Sequence, residues 1–379
     1  MSTTPADASL PEVCKSLKVD WYRCPIDPSK LRELLERSDL QGWLQCAGHL
    51  GLFACTGLLT YYFFEQHIWL GFALCLFVHG TVASFFSGLA VHELGHGTVF
   101  RTRWLNRFFL RIYSLLGWWN HHEYAMSHTY HHRYTLHPEG DREVELPRYP
   151  SLEVPYLVQL FTFNVSGGLE SNGFLPIVRS TLQTAFGRYR TDKGSWFEDL
   201  YAHESPALRA RAVNWARLIL LFHLGILVVS MLLKLWLLPI LLTFSIFIAN
   251  WLKYFVGLPM HCGLRDNVAD FRLCVRTIRL DPISEFLYWR MNWHTEHHMF
   301  AAVPCYNLQR LHNAVAHDMP APRTLLGAWR EMRATWRRQR DDPGYQFDTP
   351  LPPPGQDTPA EQDPLAASIG DIAPPSLRT

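Results

Sequence analysis

The chain has 379 residues, 48% of them hydrophobic and 14% aromatic, and its 35 Lys and Arg residues nearly balance 34 Asp and Glu residues, for a formal net charge of +1. These values exclude a strongly basic nucleic-acid-binding protein, a highly charged disordered chain and a small disulfide-stabilised domain. The eight cysteines are scattered without a CxxC pair, so we expect neither a thiolate metal site nor a disulfide framework. The 19 histidines exceed what average composition supplies and need an explanation.

Long apolar segments without Asp, Glu, Lys or Arg predict membrane-spanning helices. At about 1.5 Å per residue, the longer ones can cross a hydrocarbon core about 30 Å thick. Because each pair is separated by only one to three residues, the sequence predicts an all-α integral membrane protein with four transmembrane helices arranged as two hairpins. The alternative is a set of buried helices in a large soluble protein. The predicted spans are residues 43–64, 68–91, 218–233 and 235–252.

The positive charges predict the orientation of these spans. Of the 35 Lys and Arg residues, only Lys234 falls in a loop on the predicted outer side. Since positive residues gather on the cytoplasmic side, both termini and the long middle segment should be cytoplasmic. We therefore expect a cytosolic N-terminal segment (1–42), a membrane domain (43–340) and a disordered, proline-rich tail (341–379).

Two shorter apolar stretches lie between the predicted hairpins. In residues 103–119, three arginines and Ser114 recur at helical spacing on one side and aromatic or aliphatic residues fill the other. This pattern is typical of a helix lying in the headgroup plane. Residues 156–165 show a weaker version of it. We expect interfacial helices at both places, together with a cytosolic, histidine-rich helical cap.

Three histidine clusters follow or precede the predicted spans on the cytoplasmic side. One is an HxxxH motif and two are HxxHH motifs. On a helix, residues three and four apart share a face, so each cluster presents at least two imidazoles together. Within HxxHH the adjacent pair diverges by about 100°, so one cluster can reach two neighbouring metal ions. The eight residues are His92, His96, His128, His131, His132, His294, His297 and His298.

Imidazole suits iron, copper, zinc and nickel, so the ligand type alone does not name the metal. Eight imidazoles exceed the four positions of a tetrahedral zinc site and would serve two metal ions with room for oxygen. Nearby acids and histidines are candidates to orient the ligand rings: Glu93, Glu296, Asp141 and His137. His121 and His122 are either ligands, supporting donors or residues of a solvated turn.

The motifs HELGH, SHTYHHRYTLHPEGD and NWHTEHHMFAAVP, in this order around the predicted spans, resemble the membrane fatty acid desaturase and hydroxylase superfamily, which includes alkane monooxygenases. The resemblance covers about residues 40–330. It implies a cytosol-facing di-iron centre ligated by the eight histidines, activation of O2 as co-substrate, and removal of hydrogen from a lipid-like chain. The third motif begins with His294 rather than Gln, which argues against the front-end type of desaturase.

The resemblance also suggests a ninth ligand and a separate electron donor. Related proteins draw a further ligand from the stretch between the fourth span and the third motif, where GLPMHCG places His261. His137-Pro-Glu-Gly differs from the HPGG motif of fused cytochrome b5 domains, so electrons should come from a separate carrier of the ferredoxin, rubredoxin or cytochrome b5 type.

Several alternatives remain open at the level of sequence. Desaturation of a fatty acyl or other lipid-like chain is the leading function, and hydroxylation by the same di-iron centre is the alternative. A membrane metal transporter or sensor would need ionisable residues along the spans, which carry only His49, His79 and His223. Arginine greatly outnumbers lysine, which favours a bacterial inner membrane over the endoplasmic reticulum. Substrate, oligomeric state and organism are left undetermined.

Overall fold

The computed structural model describes residues 10–143, 152–167, 173–188 and 196–353. In these ranges the chain is mostly helical. Eighteen α-helices are joined by short turns and by 3-10 segments, and one two-stranded parallel sheet pairs β1 (Ile278–Arg279) with β2 (Arg323–Thr324). Of the predicted tail 341–379, residues 354–379 lie outside the described ranges.

The first seven helices lead from the N-terminus to the second histidine motif. They are α1 (Leu10–Ser16), α2 (Pro28–Leu34), α3 (Asp39–Glu65), α4 (Trp69–Ser84), α5 (Val91–His96), α6 (Arg103–Leu116) and α7 (His121–Tyr134). Side-chain caps start several of them. Ser38 Oγ accepts from Gln41 N before α3, and Asn120 Oδ1 accepts from two backbone N–H groups before α7.

The next six helices surround the second apolar region. They are α8 (Val154–Phe161), α9 (Phe174–Ala185), α10 (Trp196–His203), α11 (Pro206–Leu233), α12 (Leu238–Leu242) and α13 (Trp251–Gly257). Helix α11 begins with a serine cap followed by Pro206. Proline lacks a backbone N–H, but no helical hydrogen bond is lost because the N–H groups of a first turn have no partner within the helix.

The last five helices carry the third histidine motif and the C-terminal cover. They are α14 (Phe271–Cys274), α15 (Pro282–Leu287), α16 (His294–Met299), α17 (Leu308–Val315) and α18 (Leu325–Gln339). After α18 the chain returns to residues 263–266, where Phe347 N donates to the Gly263 carbonyl and Arg265 pairs with Asp348. Residues 341–348 are therefore tied to the body of the protein.

Two helical units in the described ranges are long and apolar enough to cross a membrane: Trp69–His96 and Pro206–Leu233. Helix α3, at 27 residues, has comparable length and packs against α4 as the predicted first hairpin. Large apolar side chains on these helices face outward, since Leu58, Leu70 and Leu232 are 70%, 73% and 75% exposed. Such a surface is suited to hydrocarbon rather than to water.

The predicted second span, 68–91, contains a kink near its end, and the helix after the kink continues to His96. The backbone leaves helical geometry at Ser87 and Gly88, and Gly88 has a φ of +83°, which favours glycine. The Lys253 ammonium donates to Ser87 Oγ at 2.8 Å and so holds the kink against α13. Beyond the kink, α5 carries the first histidine motif into the protein interior.

The prediction that residues 235–252 form a continuous fourth helix is wrong. The segment is broken into α12, a 3-10 turn at Ser245–Phe247, extended backbone at Ile248 and the start of α13. The backbone between α12 and α13 bonds another segment instead of itself: Asn164 N donates to the Phe247 carbonyl and Ala249 N to the Thr162 carbonyl, both at 2.8 Å. Hydropathy detects apolar side chains, but it does not show that these backbone groups bond a distant segment instead of the preceding helical turn. The second predicted hairpin is therefore half helical and half irregular.

Candidate metal centre

Three helices and one turn bring the predicted histidines to a single place. Helix α5 supplies the first motif, α7 the second and α16 the third, while His261 follows the 3-10 turn Leu258–Met260. On each helix the members three or four residues apart share the inward face. All nine histidines fall into two clusters whose candidate ligand atoms lie within 4.8 Å of one another.

The larger cluster contains five imidazoles. The His92 and His96 Nε2 atoms are 3.4 Å apart, and the His132 and His297 Nε2 atoms are 3.3 Å apart. The cluster thus joins all three sequence motifs, although they are far apart along the chain. Its members are His92, His96, His128, His132 and His297.

The smaller cluster contains four imidazoles, and His261 belongs to it. The His294 Nε2 atom lies 3.0 Å from His261 Nε2 and 3.1 Å from His298 Nε2. His131 completes the set. All four residues are buried. The two clusters adjoin, because the rings of His132 and His298 stack with their centroids 4.6 Å apart.

Five imidazoles of the two clusters are held neutral by their burial. Loss of hydration lowers the pKa of each well below its ordinary value, and the neighbouring imidazoles lower it further. A neutral ring keeps one nitrogen lone pair, which a metal ion requires and a protonated ring lacks. The residues concerned are His128, His132, His294, His297 and His298.

Carboxylates face the far nitrogens of several rings. Asp141 Oδ2 lies 2.9 Å from His131 Nδ1, and Glu143 Oε1 lies 3.1 Å from His128 Nδ1. Glu93 Oε1 lies 3.1 Å from His92 Nδ1 and 3.6 Å from Nδ1 of the third-motif histidine His297. The Asp141 and Glu143 carboxylates hold the proton on Nδ1 of His131 and His128 and leave the Nε2 lone pairs directed to the clusters, whereas Glu93 lies near two Nδ1 atoms without a hydrogen bond to either.

The donor set fits bound metal ions. Paired Nε2 atoms lie 3.0 to 3.4 Å apart. A neutral imidazole carries only one N–H, and in His131 and His128 this N–H already donates to Asp141 and Glu143. His128 Nε2 is buried with no hydrogen-bond partner among the described residues. Because a buried lone pair without a partner is costly, a cation between these nitrogens would satisfy them.

Two residues that the sequence predicted to orient the ligand rings, Glu296 and His137, make their hydrogen bonds outside the two clusters. Glu296 accepts from His312 Nδ1 and Thr277 Oγ1, both at 2.6 Å, and so ties α16 to α17 and to the residue before β1. The His137 Nδ1 atom lies 3.2 Å from the carbonyls of Tyr134 and Thr135, outside both clusters. His121 bonds Ser114, and neither His121 nor His122 belongs to a cluster.

The histidines within the long apolar helices make contacts between helices. His79 bonds Thr56 on α3 and the Leu241 carbonyl, both at 2.9 Å. His49 accepts from Trp289 Nε1 and lies 3.1 Å from the Val82 carbonyl, while His223 bonds Thr243 and the Leu115 carbonyl. Each ring therefore satisfies both nitrogens within the protein.

Sequence reasoning missed Glu143. It forms a third group with His128 and His131, one from each cluster. Its closeness in sequence to the predicted Asp141, two residues earlier in the loop after the second motif, could have identified it. In the structure the Glu143 backbone N–H donates to Asp141 Oδ1 at 3.1 Å.

A cavity of about 170 Å³ reaches the smaller cluster at His261. Aliphatic and aromatic side chains form most of its wall, including Leu89, about one helical turn before His92. Asparagine and lysine side chains, Asn164, Asn250 and Lys253, interrupt that wall. A cavity near 150 Å³ accommodates benzene, so this one has room for a hydrocarbon segment of about six carbons.

The comparison with protein families agrees with this geometry. A family model described as fatty acid desaturase matches residues 68–328, more than half of the chain. The matched range contains every histidine of the two clusters. No curated protein matches the chain significantly.

Proposed function

Because the chain belongs to the fatty acid desaturase family, and is thus an oxidoreductase acting on lipid chains, we propose that it is a membrane di-iron enzyme that desaturates a lipid-like chain with O2. The observation that carries the proposal is the juxtaposition of five and four imidazoles in two adjoining clusters. One set of ligands would hold each iron ion. His261, which lies beside His294 in the smaller cluster, would complete the second set.

Bound iron would supply the activation of O2 that unactivated C–H bonds require. The protein's own residues provide the surroundings for this chemistry. The nine imidazoles would hold the metal ions, and Asp141 and Glu143 hold a proton on Nδ1 of His131 and His128. The buried aromatic and aliphatic residues around the clusters exclude water.

The overall reaction balances with an external donor. Forming the double bond removes two hydrogen atoms, that is two protons and two electrons, from the chain, and the other two protons needed to form two waters come from solvent. Reducing O2 to two waters needs four electrons, so two more come from a carrier of the ferredoxin, rubredoxin or cytochrome b5 type. Hydroxylation, the alternative, consumes the same O2 and the same two donated electrons but leaves one oxygen atom on carbon.

The location follows from the apolar surface of the long helices. We place α3, Trp69–His96, α11 and the broken segment 235–252, which returns the chain to the inner side, in the membrane, with the histidine clusters at its cytoplasmic face. The outward-facing leucines support this placement, as does the concentration of positive charge in the remaining segments. A bacterial inner membrane is favoured over the endoplasmic reticulum.

Expression in a lipid-producing host with a matched electron donor tests the function. Mass spectrometry of total lipids should reveal a product lacking two hydrogens, and the same host carrying His128→Ala should not form it. A product that gains one oxygen instead would assign hydroxylation. Absence of any new lipid from an iron-loaded protein supplied with electrons and O2 would contradict both reactions.

A further inference from the structure

His261 lacks the local support that the other eight predicted ligands have. Those eight lie on helices α5, α7 and α16, whose backbone hydrogen bonds fix the direction of their side chains. His261 follows the short 3-10 helix Leu258–Met260 and lies in a turn. Its Nε2 nevertheless lies 3.0 Å from His294 Nε2. The turn must therefore be held by contacts with other parts of the chain.

Residues 274–277 contact both His261 and the third motif. The Cys274 carbonyl lies 3.2 Å from His261 Nδ1. Because a carbonyl oxygen can only accept, Nδ1 carries the proton and Nε2 keeps the lone pair that is directed to the smaller cluster. Thr295 Oγ1, on α16, donates to the Val275 carbonyl at 3.1 Å. The segment therefore sets the position of His261 relative to α16.

Arg276, in the same segment, holds the turn through its backbone carbonyls. Its Nη1 donates to the carbonyls of Pro259 and Cys262, which flank Met260 and His261. Its own backbone N–H donates to the Met260 carbonyl at 2.8 Å. A guanidinium presents five N–H donors in one plane, so a single side chain can bind carbonyls on both sides of the predicted ligand.

Glu331 on α18 holds the guanidinium in this position. Its Oε1 accepts from Arg276 Nε at 2.9 Å and from Nη2 at 2.6 Å, while its Oε2 accepts from Arg323 Nε at 2.8 Å. The Arg276 side chain is 5% exposed and that of Glu331 10%. Hydrogen bonds between charged groups are short and directional, so this buried pair fixes the orientation of the guanidinium.

We propose that Arg276 is a positioning residue for the ninth ligand, with Glu331 holding its guanidinium. Arg276 belongs to neither cluster, so its effect on a metal ion passes through the turn that carries His261. This role rests on the proposed function, in which His261 completes the second set of ligands. Without the guanidinium, the turn loses the donor that joins its two ends, and His261 is no longer held beside His294. The larger cluster should be unaffected.

Metal binding tests this role without turnover. The full chain in lipid nanodiscs is depleted of metal and titrated with cobalt(II), whose visible absorption reports its ligands. We expect two binding events in the wild type, and His261→Ala identifies the one that belongs to the smaller cluster. Arg276→Gln should weaken that same event about 10- to 100-fold and leave the other within about twofold. Arg276→Lys keeps a charge opposite Glu331 but lacks the planar fork, and should weaken the same event.

The matched control is Arg272→Gln. Arg272 is also buried, but its guanidinium donates to Asp270 and Asp318 rather than to the turn. Because both changes break a buried charge pair, both should lower the thermal midpoint of unfolding. Only Arg276→Gln should change a cobalt affinity, and Arg272→Gln should keep both within about twofold.

Equal effects of Arg276→Gln and Arg272→Gln on the two affinities would make Arg276 a general stabilising residue and overturn the proposal. Weakening of both events by Arg276→Gln would overturn it as well. If Arg276→Gln does not fold, wild-type affinities in Arg276→Lys would have the same force. Wild-type affinities in His261→Ala would remove His261 from the ligand set and with it the role of Arg276. A wild-type chain that binds one metal ion would instead refute the proposed di-iron centre, and Arg276 would keep its role if Arg276→Gln and His261→Ala both weaken that event.

Discussion

The His131 ring is fixed from behind by Asp141, whose Oδ2 lies 2.9 Å from His131 Nδ1. Both side chains are buried, and the same Asp141 oxygen accepts from Leu136 N at 3.0 Å, so the carboxylate is itself held in place. The pair lies behind the smaller cluster. It determines which nitrogen of His131 carries the proton and which one faces His261 and His298.

Asp141→Asn should therefore weaken metal binding. The amide can present its NH2 group to the ring, which removes the proton acceptor and favours the wrong tautomer. Loss of such a supporting acceptor typically lowers metal affinity or activity about 10- to 100-fold. Iron content after dialysis against a graded chelator, measured together with product formation, checks this expectation.

The matched control for that change is Asp199→Asn, which removes a carboxylate from a partly exposed pair with Arg142. We expect it to keep its iron. If Asp141→Asn retained iron as firmly as Asp199→Asn does, the supporting role of Asp141 would be rejected.

His261→Ala should lower iron occupancy and activity together. Its Nε2 lies 3.0 Å from His294 Nε2, and removal leaves three imidazoles in the smaller cluster. The five-imidazole cluster keeps all of its members, so we expect about half of the iron to remain. Elemental analysis of the purified variant measures this. His317→Ala, a change at an exposed histidine, should retain full iron, and full iron and turnover in His261→Ala would remove it from the ligand set.

Glu296→Gln should destabilise the protein without removing a ligand. The two carboxylate oxygens accept from His312 and Thr277, and an amide would put a donor against one of these donors. Such a mismatch at a buried site costs about 1–3 kcal/mol. The thermal midpoint in detergent should fall by a few degrees, while Glu36→Gln at an exposed position should not change it. An unchanged midpoint would show that Glu296 does not stabilise the third motif.

Epitope tags inserted in turns test the membrane orientation. Tags at residues 67 and 234 lie at the ends of α3 and α11 and should be reached only from the outer side. A tag at Gly187, in the exposed turn after α9, should be reached only from the cytoplasmic side. Labelling of Gly187 from outside would separate the segment after the second motif from the cytoplasm and refute the proposed topology.

The sequence predicted the histidine clusters well because helical spacing encodes which side chains share a face. Each of the three motifs required only local geometry, and the ninth histidine followed from resemblance. Glu143 was missed because it lies in a loop, fifteen residues from His128, where no periodicity relates the two.

The second hairpin could not be predicted in the same way. Hydropathy identified the apolar segment 235–252 but carries no information about backbone partners. The partners lie at residues 162–164, far earlier in the chain, and they convert a helix into an irregular segment. The same long-range pairing brings Asn164 and Asn250 to the wall of one cavity, which the hydropathy of the segment could not predict.

Metal analysis of the purified, catalytically active chain tests the central claim most directly. Five imidazoles in one cluster and four in the other predict two iron ions per chain. Removal of the iron with a chelator should abolish turnover, and addition of ferrous iron should restore it. An active protein containing one zinc ion and no iron would contradict the account.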